Sequence, residues 1–424
     1  MKKMDPEGNL IWYRVFAEET SVYGVHLELT HSGDVCFSGE FAGSIDLDPG
    51  PEQDIVLAGG PSAKSFLVKL NSNGEYIWGR GFSGEDTIEI NDFAVGAEDE
   101  LTLVGRFTGE VDFDPGADVM EIETVGSSDM FVLRLNAQGD FEWVLNYGNE
   151  NIDALGEIEL SAQGEMYLQG IHYGSLDIDP GPGESWVESN GSADILIQKL
   201  DSEGNFIWGG SIGSSGLDNV GDIAVDGENN LLIVGDYGDE VDFDMGSGVQ
   251  AFTSEGAADA FVLKLDSMGN YLWCKSFGGE LGDDGAEITV DSLDYVYAAI
   301  KFNGEVGFDG NNSEYVFDTN GDWESALVRW NPDGQFEWAG WITGSGNTSH
   351  LGLEIDPEGY LITAGSFVEQ VDLDFYGVSY INNPEEWVRD PFIAKYDKSC
   401  MLTNEVESME DHLVAVQTGA EYQW

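Results

Sequence analysis

The stretch DAFVLKLDSMGNYLW, residues 259–273, alternates apolar with other side chains on both sides of a Ser-Met-Gly-Asn turn. Such an alternation around a turn of this composition is typical of a β-hairpin. The stretch GDIAVDGENNLLIVGDY, residues 221–237, has the same features and predicts a second hairpin. A long loop joins the two hairpins, so residues 221–277 predict four short antiparallel strands. Helical periodicity of useful length is not evident in the sequence.

The four-strand unit recurs along the chain every 65 or 66 residues. One column of the repeat is tryptophan: Trp12, Trp78, Trp143, Trp208, Trp273 and Trp338. A glycine stands four residues before each of them: Gly8, Gly74, Gly139, Gly204, Gly269 and Gly334. A third column is cationic: Lys69, Arg134, Lys199, Lys264, Arg329 and Lys395. Four-stranded units that repeat in this way predict an all-β, six-bladed β-propeller.

The two ends of the repeat region are incomplete. Residues 9–16 have the pattern of a fourth strand without a first or second strand before it, and residues 391–397 have that of a third strand without a fourth after it. We expect these two segments to pair, so that the N-terminal strand closes the ring on the C-terminal strand and leaves no free sheet edge. We then expect the propeller to comprise residues 1–398, and residues 399–424 to be a linker and the truncated start of a following module.

The composition limits the possible partners. The chain has 424 residues, with 16 Lys and Arg against 81 Asp and Glu, and a formal net charge of −65. Nucleic acid is excluded as a ligand, because its binding requires clustered cations. Self-repulsion of this size favours surroundings in which cations bind or screen the chain. No apolar run approaches the length of a transmembrane segment, and the spacing of the three cysteines suggests neither a disulfide framework nor a zinc site.

The two hairpin stretches together resemble the bacterial SBBP-type β-propeller repeat, over roughly residues 1–398. The resemblance implies a secreted or surface-exposed bacterial protein, often found beside adhesive modules, in a family whose members frequently have no assigned activity. The tail SMEDHLVAVQTGAEYQW, residues 408–424, resembles the opening of an Ig-like module in proteins of the type IX secretion route. An extracellular or outer-surface location is therefore expected, although no signal peptide is visible in this chain.

An acidic DxD motif recurs between the second and third strands. In the first four copies its aspartates are Asp46, Asp48, Asp112, Asp114, Asp177, Asp179, Asp242 and Asp244. Two interpretations stay open: a calcium-binding loop, or a turn whose second aspartate pairs with the recurring Lys or Arg. Calcium takes about six to eight oxygen ligands, and additional nearby acids make the first three copies the best candidates: Glu52, Asp118 and Glu184.

The first strand carries a further column of acids. It comprises Asp92, Glu157, Asp222 and Glu287, with His26 and Gly352 at the same position in the outer copies. The first strand of a propeller blade is innermost, so these carboxylates are predicted to ring the central channel and to bind a cation there. The alternative is that each carboxylate caps a backbone group of the next blade. The tryptophan column is predicted to pack between blades and not to form a sugar-stacking ladder.

These patterns favour a binding module over an enzyme. No nucleophile–base pair stands out, so the sequence assigns no catalytic residue, and calcium is the one cofactor considered. We expect a binding, adhesion or scaffold module whose ligand is an extracellular protein or glycan. The alternative is a carbohydrate-active hydrolase or lyase that uses the channel carboxylates. An asymmetric polar cluster at one channel mouth would favour the enzyme, and a regular ring would favour the scaffold.

Overall fold

The computed structural model describes residues 1–5, 9–16, 22–57, 64–82, 86–309, 315–344, 347–373, 375, 380–382, 389–396 and 421–423. All the regular structure in these segments is β-strand, and six antiparallel sheets form the blades of a six-bladed β-propeller, as the repeat predicts. The described residues contain no helix that is long and apolar enough to cross a membrane. By contacts, the chain divides into two compact units, which separate near Ser211.

The first unit contains blades 1 to 3. Its strands are β1 (Lys2–Met4), β2 (Leu10–Tyr13), β3 (Val22–Leu29), β4 (Val35–Phe41), β5 (Ser44–Asp46), β6 (Ile55–Leu57), β7 (Lys64–Leu70), β8 (Tyr76–Gly81), β9 (Ile88–Val95), β10 (Leu101–Phe107), β11 (Glu110–Asp112), β12 (Glu121–Glu123), β13 (Asp129–Leu135), β14 (Phe141–Tyr147), β15 (Ala154–Leu160), β16 (Met166–His172), β17 (Ser175–Asp177), β18 (Trp186–Glu188), β19 (Asp194–Leu200) and β20 (Phe206–Ile212). Blade 1 is β3-β4-β7-β8, blade 2 is β9-β10-β13-β14 and blade 3 is β15-β16-β19-β20.

The second unit contains blades 4 to 6. Its strands are β21 (Asn219–Val225), β22 (Leu231–Tyr237), β23 (Glu240–Asp242), β24 (Ala251–Thr253), β25 (Asp259–Leu265), β26 (Tyr271–Phe277), β27 (Asp284–Val290), β28 (Val296–Gly307), β29 (Val316–Trp330), β30 (Phe336–Gly344), β31 (Thr348–Ile355), β32 (Leu361–Val368), β33 (Gln370–Asp372), β34 (Tyr380–Asn382) and β35 (Arg389–Tyr396). Blade 4 is β21-β22-β25-β26, blade 5 is β27-β28-β29-β30 and blade 6 is β31-β32-β35. A short strand, β36 (Glu421–Gln423), lies beside β1.

The inner strands of a blade are apolar because other elements cover both of their faces. In blade 2, Leu101, Leu103 and Val104 on β10 are fully buried, and so are Phe131 and Leu133 on β13. Within each unit the first strands of neighbouring blades pack side by side. This packing explains why the central strands are continuous apolar runs, while the fourth strands keep the alternation of a half-exposed sheet.

A short outer hairpin follows the second strand of a blade, where the sequence predicted only a long loop. In blade 2 it pairs β11 with β12, with Val111 opposite Ile122. Val111 and Phe113 are buried, so the hairpin packs its apolar side onto the blade. In blade 5 the hairpin merges with the sheet, because β28 and β29 pair from Val296 and Trp330 to Gly307 and Val316. In the outer hairpins of blades 1 to 4, the first aspartate of the DxD motif is the last residue of the first short strand, as Asp112 is of β11.

The ends of the chain pair differently from the prediction. Residues 9–16 were expected to pair with residues 391–397, but β2 pairs with β1, and β35 is an edge strand beside β32 in the described part of blade 6. The Asp5 N–H donates to the Asn9 carbonyl, as Asn71 does to Glu75 in the next hairpin. Since a local hairpin closes a short loop at small entropic cost, β1 takes the side of β2 that residues 391–397 were expected to fill. Residues 399–420 lie outside the described residues.

Candidate functional site

The tryptophan column packs between blades. The indole of Trp78 is 7% exposed and its Nε1–H donates to the Ala137 carbonyl at 3.2 Å, in the turn of blade 2. An added Cβ on Gly139, whose φ is 73°, would lie 3.1 Å from the Trp78 ring. Trp12 makes the same contacts with Ser72 and Gly74, so β2 docks on blade 1 as the fourth strand of a preceding blade would.

Among the residues that the structure describes, the recurring cations do not pair with the DxD aspartates, so that interpretation is wrong there. Each is buried or nearly so and pairs with an acid of its own blade. The pairs are Lys69–Asp34 at 3.9 Å, Arg134–Glu100, Lys199–Glu165, Lys264–Asp226 and Lys395–Asp356 at 2.8 Å, and Arg329–Glu337 at 3.3 Å. Except for Glu337, these acids lie in the turn between the first and second strands. The spacing of the motifs did not indicate that this turn supplies the partner of the cation.

The position of the acid within that turn changes between blades. In blades 1 to 3 the acid is the residue directly before the second strand, as Glu165 is before β16. Blade 4 has Asn230 at that position, and Asp226, four residues earlier, supplies the carboxylate instead. Blade 6 has Tyr360 there, whose ring lies 3.9 Å from Lys395 Nζ, and Asp356 supplies the carboxylate. Every blade therefore keeps one acid for its buried cation.

The DxD aspartates hold their own loops. In blade 2 the Asp112 Oδ1 accepts the backbone N–H of Asp114 at 3.1 Å and of Met120 at 2.7 Å, and the Asp114 Oδ1 accepts that of Gly116 at 2.7 Å. The same bonds recur in the other early copies: Asp46 and Asp48, Asp177 and Asp179, and Asp242 and Asp244. Among the described residues, no three His, Cys, Asp or Glu side chains form a group that could hold a metal ion. Because carbonyl oxygens and water also ligate calcium, calcium binding here stays a prediction.

Two acids of the first-strand column cap the backbone of the next blade. The Asp92 Oδ2 accepts the Ile158 N–H at 2.9 Å, and the Asp222 Oδ2 accepts the Ile288 N–H at 2.9 Å. These are the contacts that the capping alternative expects. Glu157 and Glu287 are half-buried at the same position of β15 and β27. A β-bulge precedes the acid in β15, β21 and β27, and a bulge turns the side chain that follows it.

His26 takes the place of the acid in blade 1. Its Nδ1 lies 2.9 Å from the buried Asp92 carboxylate and its Nε2 lies 3.2 Å from Glu28. Burial by itself lowers the pKa of His26, but the charges and hydrogen bonds of Asp92 and Glu28 outweigh burial and raise that pKa well above 6.5. The imidazolium therefore links the first strands of blades 1 and 2 at neutral pH.

An asymmetric set of polar side chains lies where blades 4 and 5 meet. We call it the blade 4–5 cluster: Asn219, Asp236, Asp284, Lys301 and Trp323. Asn219 pairs with Asp236 across β21 and β22, and Asp284 pairs with Lys301 across β27 and β28. The Asn219 Nδ2 lies 3.2 Å from Asp236, and the Lys301 Nζ lies 3.9 Å from Asp284 and 4.3 Å from the centre of the Trp323 ring.

The two carboxyl groups of this cluster have raised pKa values. Burial raises the pKa of Asp236 to about 7, and the charge of Asp284 adds to the effect. Burial also raises the pKa of Asp284, while Lys301 and a hydrogen bond from Asp236 oppose the rise. Two close carboxyl groups of unequal pKa can serve as hydrogen-bond donor and acceptor, and in enzymes as acid and base. Periodicity does not reveal this site, because the residue types do not recur along their columns: Asp236 and Lys301 occupy the same position in blades 4 and 5.

A related arrangement without the tryptophan lies between blades 1 and 2. Glu40 faces Glu89, and the Arg106 Nε lies 2.6 Å from Glu89. These residues occupy the positions of Asp236, Asp284 and Lys301, while Ser128 stands at the position of Trp323. Burial, followed by the charge of Glu89, raises the pKa of Glu40. The charge pattern thus occurs twice, and the aromatic ring distinguishes the blade 4–5 cluster.

A polar depression of about 320 Å³ lies at the other end of blade 2. Glu98, Glu100, Glu142 and Arg134 line it together with residues of the adjoining turn. Its cation, Arg134, already pairs with Glu100 and donates to the Thr102 hydroxyl at 2.6 Å. This depression therefore belongs to the structural ion pair of blade 2 and lies away from the perturbed carboxyl groups.

Comparison with known proteins gives only distant similarity. No model of a known protein family matches the chain. Regulatory protein FlaEY of Caulobacter vibrioides is 23% identical over 170 residues, and an uncharacterized WD repeat-containing protein of Acanthamoeba polyphaga mimivirus is 22% identical over 198 residues. These matches cover 39% and 40% of this chain but 17% and 14% of those proteins, so the chain spans less than a fifth of their length.

Solved structures resemble the chain weakly. A protein of unknown function from Bacteroides caccae has a TM-score of 0.38 and 9% identity, over 80% of this chain and 89% of that one. A gluconolactonase from Xanthomonas campestris has a TM-score of 0.31 and 10% identity, over 83% and 97%. At these scores neither structure carries a functional argument, and the fold assignment rests on the strand pairing of this chain.

Proposed function

We propose that this chain is a secreted or cell-surface β-propeller that serves as a binding, adhesion or scaffold module for an extracellular protein or glycan. One observation carries the proposal: the ionisable residues that recur from blade to blade are engaged inside the protein. Each cation of the repeat pairs with an acid of its blade, and Asp92 and Asp222 cap backbone amides. Charges used in this way build a regular scaffold, whose exposed loops remain available for recognition.

The location rests on two supports. The repeat resembles the SBBP type, which implies a secreted or surface protein. The net charge of −65 suits surroundings rich in cations, where the self-repulsion of the folded chain is screened. We include calcium in the proposal, at the first three DxD loops, where a further acid lies near the two aspartates: Glu52, Asp118 and Glu184.

A direct test places the purified chain on arrays of extracellular proteins and of glycans, once with calcium and once with EDTA. The proposal expects saturable binding to members of one array. Binding to neither array, by a chain whose thermal unfolding shows that it is folded, would refute the recognition function.

A carbohydrate-active hydrolase or lyase is the second candidate, and the blade 4–5 cluster is what favours it. The channel acids Asp92 and Asp222 are committed to backbone amides, whereas the pKa of Asp236 lies at about 7 beside a second carboxyl. A carboxylic acid held protonated near neutral pH can donate to a glycosidic oxygen. Release of reducing sugar by the wild-type chain, lost in Asp284→Asn, would establish this activity; no release would leave the binding function alone.

A further inference from the structure

The blade 4–5 cluster breaks the symmetry of the repeat in its composition. Blade 5 has Trp323 where blades 2, 3 and 4 have small residues, Ser128, Ala193 and Ala258. Its Lys301 stands at the position of Ile171 in blade 3. Structural positions of this propeller recur in every blade, as the tryptophan and cation columns do. A large aromatic residue that stands beside the cation in blade 5, where blades 2 to 4 have small residues, is therefore not explained by the blade core.

The cluster is accessible, and exposed apolar side chains stand close to it in the chain. The side chains of Lys301 and Asp284 are 30% and 44% exposed, and Asn219 is exposed. Leu217, two residues before Asn219, and Leu281, three residues before Asp284, are 57% and 44% exposed. Polar groups that converge beside exposed apolar side chains are the composition of a small-molecule site.

The polar groups of the cluster are both donors and acceptors. The Asn219 amide and the Lys301 ammonium donate, the Asp284 carboxylate accepts, and the Asp236 carboxyl donates when protonated. With one carboxyl protonated, the charges of the cluster cancel. A ligand rich in hydroxyl groups matches such a set, because each hydroxyl both donates and accepts, and its C–H faces pack on Leu and Trp side chains.

We infer that the blade 4–5 cluster binds a neutral saccharide through Asp236, Asp284, Asn219 and Lys301, with Trp323, Leu217 and Leu281 contacting the sugar ring. This inference rests on the proposed recognition function and names its site and ligand class. An anionic saccharide is disfavoured, because the net charge of −65 opposes its approach. A cationic ligand is disfavoured because it would compete with Lys301 for Asp284.

The test is a glycan array that carries neutral and anionic oligosaccharides, followed by titration calorimetry with the strongest binder. The full chain is compared with Asp284→Asn, which keeps the shape of the side chain, and with Trp323→Ala. Glu40→Gln is the control, because Glu40 occupies the place of Asp236 in the arrangement between blades 1 and 2, which lacks the tryptophan. Thermal unfolding of every variant shows whether it is folded, and Leu281→Ser, at an exposed residue, replaces Trp323→Ala if that variant does not fold.

We expect neutral oligosaccharides to bind, with a loss of affinity of at least tenfold in Asp284→Asn and in Trp323→Ala and no change in Glu40→Gln. Saccharide binding that is equal in all the variants would overturn the site while the recognition function stands. Binding of anionic saccharides alone, or of proteins alone, would overturn the ligand class. Binding to neither array would overturn the proposed function itself, and the inference with it.

Discussion

The counter-ion of Lys264 offers a direct test of how each blade neutralises its buried cation. Lys264 and Asp226 lie 2.8 Å apart, and their side chains are 4% and 1% exposed. In blade 3 the equivalent Lys199 pairs with Glu165, and Ser161 stands at the position of Asp226. The repeat therefore contains two solutions for the same site, and one can be exchanged for the other.

We predict that Asp226→Ser destabilises the protein and that adding Asn230→Glu rescues it. Removal of one partner from a buried ion pair costs about 3–5 kcal/mol, because the other charge stays buried. The turn itself should survive, since the Ser161 Oγ accepts the backbone N–H of Glu165 in blade 3 as Asp226 accepts that of Asn230. The double variant copies blade 3, so we expect it to recover at least about half of the loss.

Urea unfolding followed by tryptophan fluorescence measures both effects. With an m-value of about 3 kcal/mol per M, a loss of about 3–5 kcal/mol lowers the midpoint by about 1–1.7 M. Asp34→Ala is the comparison: Asp34 is 22% exposed and lies 3.9 Å from Lys69, so this longer and more hydrated pair should lose less stability than Lys264 and Asp226 do. A double variant as unstable as Asp226→Ser, or equal losses at Asp226 and Asp34, would refute the reasoning.

Three further predictions address other elements. Because the pKa of His26 is raised, its ion pair stabilises the fold fully below pH 6.5 and loses this effect as the pH rises through the folded-state pKa. His26→Gln should therefore lower the free energy of unfolding by about 1–3 kcal/mol at pH 6, and the difference from wild type should narrow in alkaline buffer. A difference that is independent of pH would contradict this. Trp78→Ala should lower the free energy of unfolding by about 3–5 kcal/mol, measured in urea, whereas a loss below about 1 kcal/mol would argue against packing between blades. Calcium should raise the melting temperature more than magnesium does at equal ionic strength, because each occupied site adds about 2.7 kcal/mol to the free energy of unfolding at a hundredfold excess over the dissociation constant. The double variant Asp112→Asn, Asp114→Asn should lose the contribution of one loop. Equal shifts with both metals would reject calcium at these loops.

The sequence determined the blades because their signals are local or strictly periodic. The alternation in DAFVLKLDSMGNYLW specifies a hairpin whatever surrounds it. A tryptophan repeated every 65 or 66 residues can pack in the same way in every blade, and Trp78 and Trp12 do so against the turns that follow them. The turn formed by the DxD motif is local as well, since its aspartates bond to amides within the same loop.

Only the tertiary structure decided which groups meet across strands and blades. The sequence suggested the second DxD aspartate as the partner of each recurring cation, but the strand register placed the acid of the first turn beside five of the six, and Glu337 beside Arg329. The chain ends also differ from the prediction, because a local hairpin between β1 and β2 forms where a long-range pairing was expected. Asp236 and Asp284 meet because blades 4 and 5 stack, and no periodic signal links residues from different columns. Their contact depends on side-chain direction and blade packing, which a repeat pattern does not encode.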